Sequence, residues 1–389
     1  MRLFMTSEFD LLILGGGCAG LSLARELAVF GAACPTTCII EQRAHYENDR
    51  TWCFWGTADA QGADLIAHEW DRVELRHRGK TVDFDCAAHP YRMIQGDRFY
   101  ADAFAKLSCA PRITTEKAVR VLSAPECSGG VWRVETDAGM RCARRLVDTR
   151  PQPGPAQRAV APVLWQSFLG QEIVCSAPVF DAGIVTLMDF IDGDADRVVF
   201  CYVLPLTAHR ALVELTVFAK DPVPLPELRV QLQQQLQIRT RRHDFTIERT
   251  EQGFLPMGLP LDTTPARHDY LQAGLMHGAA RASSGYAFQR IQKWATNCAR
   301  QIVASAPMDR HLPDPAFMRG MDRLFLSLLR HQPHCAPTLF LPIFDRCNPG
   351  ALIRFLSDGA SVRDALKVVL SLPALPFIRQ IGRDLLPAW

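Results

Sequence analysis

The apolar positions along the chain change period several times, and each change marks an element. Phe9 to Leu14 is a short run, apolar but for Asp10, of the kind that fills a buried parallel strand. After three glycines the spacing turns helical through Leu21-Ser22-Leu23-Ala24-Arg25-Glu26-Leu27, and a second strand is expected at Thr37 to Ile40. Residues 71–85 alternate, with Val73, Leu75, Val82 and Phe84 around Arg78-Gly79-Lys80, which predicts a hairpin. A second hairpin is predicted over 131–148, turning at Asp137-Ala138-Gly139 and returning through Arg145-Leu146-Val147-Asp148. Pro151, Pro153, Gly154, Pro155 and Pro162 then crowd one segment and read as a boundary.

Beyond it the pattern is strand-rich. Val163 to Ile173, Val179 to Phe190, Val198 to Leu206 and Ala211 to Phe218 are apolar and β-branched, until Pro222, Pro224 and Pro226 break the series. Leu228 to Ile238 reads as a helix with a glutamine-rich polar face, and Tyr270 to Gly274 as a short strand. Met318 to Arg330 and Val362 to Leu372 carry apolar stripes at helical spacing, more often core than anything else.

Composition narrows the classes. The 389 residues suit roughly two or three domains. An apolar fraction of 48% excludes a disordered chain. With 43 basic against 41 acidic residues, the electrostatic footprint of bulk nucleic-acid binding is missing. No apolar run approaches the roughly 18 residues of a spanning helix. Met1 to Asp10 has no basic start, apolar core or small-residue cleavage site, and the 13 cysteines form no CxxC pair. Reduced thiols in the cytoplasm, and no metal site, are the expectation.

The first chemistry lies between the opening strand and helix. Gly15-Gly16-Gly17-Cys18-Ala19-Gly20 is a GxGxxG turn joining the two. Gly15 permits the tight turn, Gly17 the approach of a pyrophosphate, and Gly20 close packing of helix on strand. The free N–H groups at Gly17, Cys18 and Ala19 and the helix dipole would face the phosphates. Glu41 closes the second strand, placed to accept from the ribose hydroxyls, and its charge disfavours a 2′-phosphate. A glycine turn that binds nothing is the weaker alternative, because strand, helix and acid all stand in place. The position near the N-terminus is usual for FAD enzymes. The expected fold class is therefore α/β: a Rossmann-like FAD-binding fold of the glutathione-reductase type, with an inserted β-rich substrate domain and a helical C-terminus. Residues 1–160 and 245–300 would bind FAD, 161–244 would hold substrate, and 301–389 would form the helical region.

Two further features carry candidate chemistry. Glu214 is the one charge in Ala211 to Phe218, and period two puts it on the face of Leu212, Thr216 and Phe218. That face is either solvent-exposed or arginine-paired, or Glu214 stands in an apolar cavity that would hold it protonated as a general acid. The loop Gly278 to Gly285 opens a helix at Tyr286-Ala287-Phe288, with Ser283 or Ser284 as its cap. It is either an ordinary capped loop or, paired with the first glycine turn, a second flavin contact through Ser284, Gly285 and Tyr286.

Together these segments resemble the FAD-dependent lycopene cyclases, nearly end to end. The opening Asp10 to Ser22 carries the resemblance, as does Asn48-Asp49-Arg50-Thr51-Trp52-Cys53-Phe54-Trp55. Phe200-Cys201-Tyr202-Val203-Leu204-Pro205-Leu206, followed by Leu212-Val213-Glu214-Leu215-Thr216, is similar to the family's Tyr-x-Leu-Pro-Leu strand and Glu-Glu/Asp-Thr motif. Ala282-Ser283-Ser284-Gly285-Tyr286-Ala287-Phe288 resembles its flavin loop, and Arg354-Phe355-Leu356-Ser357-Asp358 its C-terminal segment. Two positions depart: the motif's second acid is Leu215 here, removing a polar neighbour that could tune Glu214, and the proline before the loop is Ala282.

The resemblance implies Glu214 as the acid that protonates the end of lycopene or a related polyene, closing a β-ionone-type ring without net redox change. It implies reduced FAD, with NADPH as electron source, and an apolar tunnel walled by Phe180 to Phe190 and Val198 to Phe218. A lipid-dissolved substrate would bring Arg319, Arg323, Arg330 and His331 to a membrane surface, making the protein cytoplasmic and peripherally membrane-associated. A polyprenyl reductase or hydroxylase, or a non-catalytic flavoprotein of the same fold, are the alternatives. Stoichiometric NADPH consumption would mark the first pair, and indifference to Glu214→Gln the last.

Overall fold

The computed structural model describes residues 8–56, 62–151, 162–260 and 267–385. Pro153, Gly154 and Pro155 of the expected boundary lie outside them, as does the start of the chain.

Three sheets organise the molecule. The first runs β8 (Ile113–Glu116), β2 (Thr37–Ile40), β1 (Phe9–Leu14), β11 (Gly139–Asp148), β10 (Val131–Thr136), β9 (Glu126–Ser128), with β17 (Tyr270–Gln272) alongside the end of β11. β1 pairs in parallel with both β2 and β11, which covers its two edges, and its residues Leu11 to Leu14 are fully buried. Leu11 and Ile13 pack towards α1 (Cys18–Ala28) and α4 (Phe288–Val303), while Leu12 and Leu14 meet Val119 and Trp132. The predicted hairpin at 131–148 is the pair β10–β11, and its return strand enters the parallel sheet beside β1.

The second sheet is mostly antiparallel. Its order is β16 (Phe245–Met257), β12 (Leu164–Cys175), β15 (Arg210–Ala219), β14 (Val198–Pro205), β13 (Ile184–Ile191), β5 (Arg72–His77), β6 (Lys80–Asp85). It therefore extends beyond residues 161–244. The early hairpin β5–β6 joins through a parallel pairing with β13, and β16 pairs along β12. Both additions satisfy backbone that would otherwise be a free sheet edge. Val179 and Phe180, expected within a strand, precede β13 and pack beneath the sheet on its helical side.

The third sheet, β3 (Thr51–Trp55), β7 (Tyr91–Gln95), β4 (Ile66–Trp70), bridges the first two and leads into α2 (Gly96–Ser108).

Helices close the remaining faces. α3 (Leu225–Arg239) covers one face of the second sheet, where Leu228, Leu232 and Leu236 meet Leu169, Val213, Leu215 and Val217. Its glutamines occupy the other side, as the pattern predicts. The opposite face looks towards α5 (Ala316–His331), α6 (Ala336–Arg346) and α7 (Pro349–Leu356). α8 (Val362–Ser371) and α9 (Ala374–Leu385) complete the C-terminal layer, and Ser361 with Asp364 forms a reciprocal capping box at the start of α8.

Candidate active site

The glycine turn is built as its spacing implies. Gly15 has φ +95°, a backbone conformation that side chains with a Cβ avoid. A Cβ on Gly20 would lie 2.0 Å from the Gly15 carbonyl oxygen, so only glycine lets α1 approach β1 this closely. A Cβ on Gly17 would meet nothing within 4 Å, which leaves open space where a phosphate belongs. Gly17 caps α1 without any side-chain bond, so the helix keeps free N–H donors for a ligand. Glu41, at the end of β2, accepts from Gly16 N at 2.6 Å and from Arg43 N and Nε at 2.8 and 3.0 Å. Cys18 contributes no anion, because burial pushes its thiol up to about 12. The residues present therefore fit a dinucleotide.

From this cradle a cavity of ≈ 1850 Å³ runs past the second sheet to the C-terminal helices. Gly15, Gly17, Cys18, Ala19, Glu41, Glu214, Ser284, Gly285 and Tyr286 all line it, although Gly17 and Ser284 lie 267 positions apart in the chain. Gly20 alone of the predicted set stands behind the wall, packed on Gly15.

Glu214 resolves to the cavity reading. It is 9% exposed and forms no ion pair among the described residues. Its Oε1 accepts from Thr216 Oγ1 at 2.6 Å. Burial, reinforced by the nearby Glu251 charge, pushes its carboxyl up to about 8, against the opposing pull of Thr216 and Arg249. A carboxyl in this state is neutral at pH 7 and has a proton to give. Leu215 points the other way. It is fully buried against α3, so the departure from the family motif does not alter the cavity.

The wall differs in part from the expected one. Leu187, Met188, Phe200 and Phe218 line it, but Phe180 and Phe190 do not. Phe325, Phe340, Phe344, Phe355 and Phe377 of the C-terminal helices supply the rest. Side chains from distant segments meet there, which no local spacing signals.

The loop before α4 also departs from expectation. Neither Ser283 nor Ser284 caps the helix, which starts at Phe288 behind an uncapped Ala287. Ser283 Oγ instead donates to Asp322 Oδ1 at 2.8 Å, and Ser284 Oγ accepts from Tyr286 N at 3.5 Å. Gly285 turns the loop at φ +72°. The C-terminal segment is stitched to the same place: Arg281 donates to the Phe355 carbonyl, and Arg290 Nε pairs with Asp358 Oδ2 at 2.5 Å.

Two cavity residues, Tyr91 and Glu251, carry no local sequence signal of a site. Tyr202 Oη donates to Tyr91 Oη at 3.0 Å, and Tyr91 and Tyr286 hydroxyls meet at 3.3 Å, forming a phenol chain beside Cys53. Glu251 lies on β16 among polar residues, and only the period-two series Arg249, Glu251, Gly253, Leu255 hints at a shared face.

Residues 10–381 match the model of a family described as lycopene cyclase protein. The chain belongs to the lycopene cyclase family. No curated protein matches it. Among solved structures, this lycopene cyclase family member is similar to a geranylgeranyl bacteriochlorophyll reductase-like protein from Thermoplasma acidophilum, with TM-score 0.64 and 12% identity over 96% of this chain and 98% of that one. It is also similar to p-nitrophenol 4-monooxygenase from Pseudomonas putida, with TM-score 0.59 and 12% identity over 96% and 99%. A structure of halogenase PltM in complex with FAD gives TM-score 0.59 and 11% identity over 94% and 83%. At these identities the likeness establishes the fold, that of the mixed α/β FAD-dependent enzymes.

Proposed function

We propose that this family member cyclises the linear end of lycopene, or of a related isoprenoid polyene, to a β-ionone-type ring, with FAD in the glycine cradle and Glu214 as the acid. The observation that carries the reading is a neutral, buried carboxyl on an apolar cavity continuous with a dinucleotide site. Gly15, Gly17, Cys18, Ala19, Gly20 and Glu41 would hold the dinucleotide, and Ser284, Gly285 and Tyr286 its flavin end. When bound and reduced, with NADPH as the electron source, the flavin supplies electron density that favours a nearby cation.

The remaining work falls to the chain. Glu214 gives its proton to the terminal alkene carbon, leaving a tertiary cation. The next double bond closes a six-membered ring, moving the positive charge into it. A ring C–H then releases its proton to the Glu214 carboxylate, and the new double bond forms without net redox change. Water would trap the cation, and the phenylalanine wall excludes it.

Peripheral membrane contact at the cytoplasmic face belongs to the same proposal. Among the described residues no single helix is long and apolar enough to cross a membrane. Val369, Leu370, Ile378 and Ile381 are exposed and also line the cavity, so its mouth opens through the apolar side of α8 and α9. This supports entry of a lipid-dissolved substrate there. Of the basic residues on α5, Arg330 is turned inward to the Val163 carbonyl.

The test is product analysis after expression in a lycopene-accumulating bacterial host. Cyclic carotenoid from the parent and unchanged lycopene from Glu214→Gln are expected. Unchanged lycopene from a soluble, FAD-loaded parent would overturn the substrate. NADPH consumed in step with product would instead favour a reductase or hydroxylase.

A further inference from the structure

The cavity face of the second sheet carries a second acid for which the cyclisation gives no role. Gly170 on β12 pairs with Glu214 on β15 and, on its other side, with Glu251 on β16. Directly paired residues share a face of the sheet, so the three form one row with a glycine at its centre. A Cβ on Gly170 would stand 3.2 Å from Glu251 Cγ and 3.4 Å from Glu214 Cβ. The two acid stems thus lean over the same gap from opposite strands.

Their surroundings differ. Glu251 is 4% exposed, and its Oε2 accepts from Arg249 Nη1 at 2.6 Å and from Thr51 Oγ1 at 2.7 Å. Arg249 also donates to Thr51 Oγ1 at 2.8 Å and to Glu172 Oε2 at 2.6 Å, while Arg210 holds the other oxygen of Glu172 at 2.5 Å. A guanidinium and a hydroxyl suit a carboxylate acceptor. Glu214 has a single hydroxyl donor, Thr216. One row therefore holds an acid clamped by a guanidinium and a hydroxyl beside an acid with a single hydroxyl partner.

We propose that Glu251 is a positioning residue for Glu214, its clamped charge across Gly170 keeping the proton on the acid until a substrate end arrives and drawing the proton back after ring closure. The inference rests on Glu214 being the acid. The proton account balances: one proton leaves Glu214 for carbon, a C–C bond forms, and one proton returns from a ring C–H. A Glu214 carboxylate beside a second carboxylate is a stronger base, which favours that return. Thr51, on β3, links the clamp to the segment that ties the third sheet to the second.

Other groups near Glu214 do not supply such a charge. Thr216 on its own strand is neutral, and Tyr202, its partner on β14, is engaged with Tyr91. Burial holds the phenol of Tyr202 and the thiol of Cys53, on β3, in their neutral forms. Arg249 on β16 opposes Glu251, but its guanidinium is shared between Glu251 and Glu172.

The experiment is an infrared pH titration of the purified FAD-loaded protein. The protonated-carboxyl band lost in Glu214→Gln identifies Glu214, with an expected midpoint near pH 8. Glu251→Gln keeps an acceptor for Thr51 and leaves Arg249 its bond to Glu172. It should lower the midpoint by roughly one pH unit, about a tenfold loss of proton affinity. The alkaline limb of kcat should move with it, while KM stays near that of the parent. Glu251→Asp, which keeps the charge but withdraws it by one methylene, should fall between the two. An unmoved midpoint in folded Glu251→Gln would overturn the proposal. If that variant does not fold, an Asp variant with the parent's midpoint would do so. The band needs no turnover: a shifted midpoint without any cyclised polyene would sink the cyclase reading alone.

Discussion

The two faces of the second sheet are made from alternating residues of the same strands, yet they have opposite character. Towards α3, Leu169, Val213, Leu215 and Val217 close on Leu228, Leu232 and Leu236, and the acid at this side, Asp189, is paired with Arg239 of α3 at 2.8 Å. Towards the cavity, Tyr202, Glu214, Thr216 and Glu251 line the wall, with Gly170 paired between the two acids. A packed apolar face contributes stability through burial and dispersion. The open face gives some of that up and gains groups that can handle a proton. Because the strand period is two, the chain builds both without interrupting β15.

Five predictions would break or sharpen this contrast. The largest effect is on turnover: Glu214→Gln should retain FAD and lose cyclisation by about 10²–10⁴-fold, measured as product per enzyme. The same substitution should stabilise the fold. Because the folded-state pKa is raised from 4.5 to about 8, the parent loses stability as pH climbs through that interval and levels off above it. The gain from Gln should therefore grow to a plateau near pH 8, of order ~1–3 kcal/mol in denaturant melts. A variant less stable than the parent at pH 8 would mean that Glu214 is a structural group.

Next is the closed face. Leu215→Glu would place an unpaired charge against Leu228 and Leu232, and a loss of about 3–5 kcal/mol is expected in denaturant titration. A tolerated Glu would show that the two faces are not separate environments.

A smaller effect is on pH. Activity should fall as pH rises through about 8, where Glu214 gives up its proton. A flat profile to pH 9.5 would place the acid elsewhere. Smallest is Gly170→Ala, whose methyl enters the gap between the acid stems. It should cost under about 1 kcal/mol of stability but lower kcat several-fold, a split that tests whether the row is organised for chemistry.

The strands and helices were largely legible, because burial imposes its period on each segment locally. β1, the hairpins β5–β6 and β10–β11, and helices α3, α5 and α8 lie close to where the pattern puts them. The glycine turn was legible for the same reason: strand, turn, helix and Glu41 lie within 33 residues of Phe9. A serine before a helix looks alike in sequence whether it caps that helix or, as Ser283 does, bonds a distant Asp322. Leu215 looked like a lost neighbour of Glu214, although period two already assigns it to the far face.

By itself, then, the sequence determined the elements, the dinucleotide cradle and which residues of β15 share the face of Glu214. Only the tertiary structure decided that this face meets a cavity rather than solvent, and that β16 brings Glu251 to the other side of Gly170. Local periodicity records which side of a strand a residue occupies. What stands opposite that side depends on contacts between residues far apart in the chain, such as Thr51 with Glu251, and no window of sequence contains them.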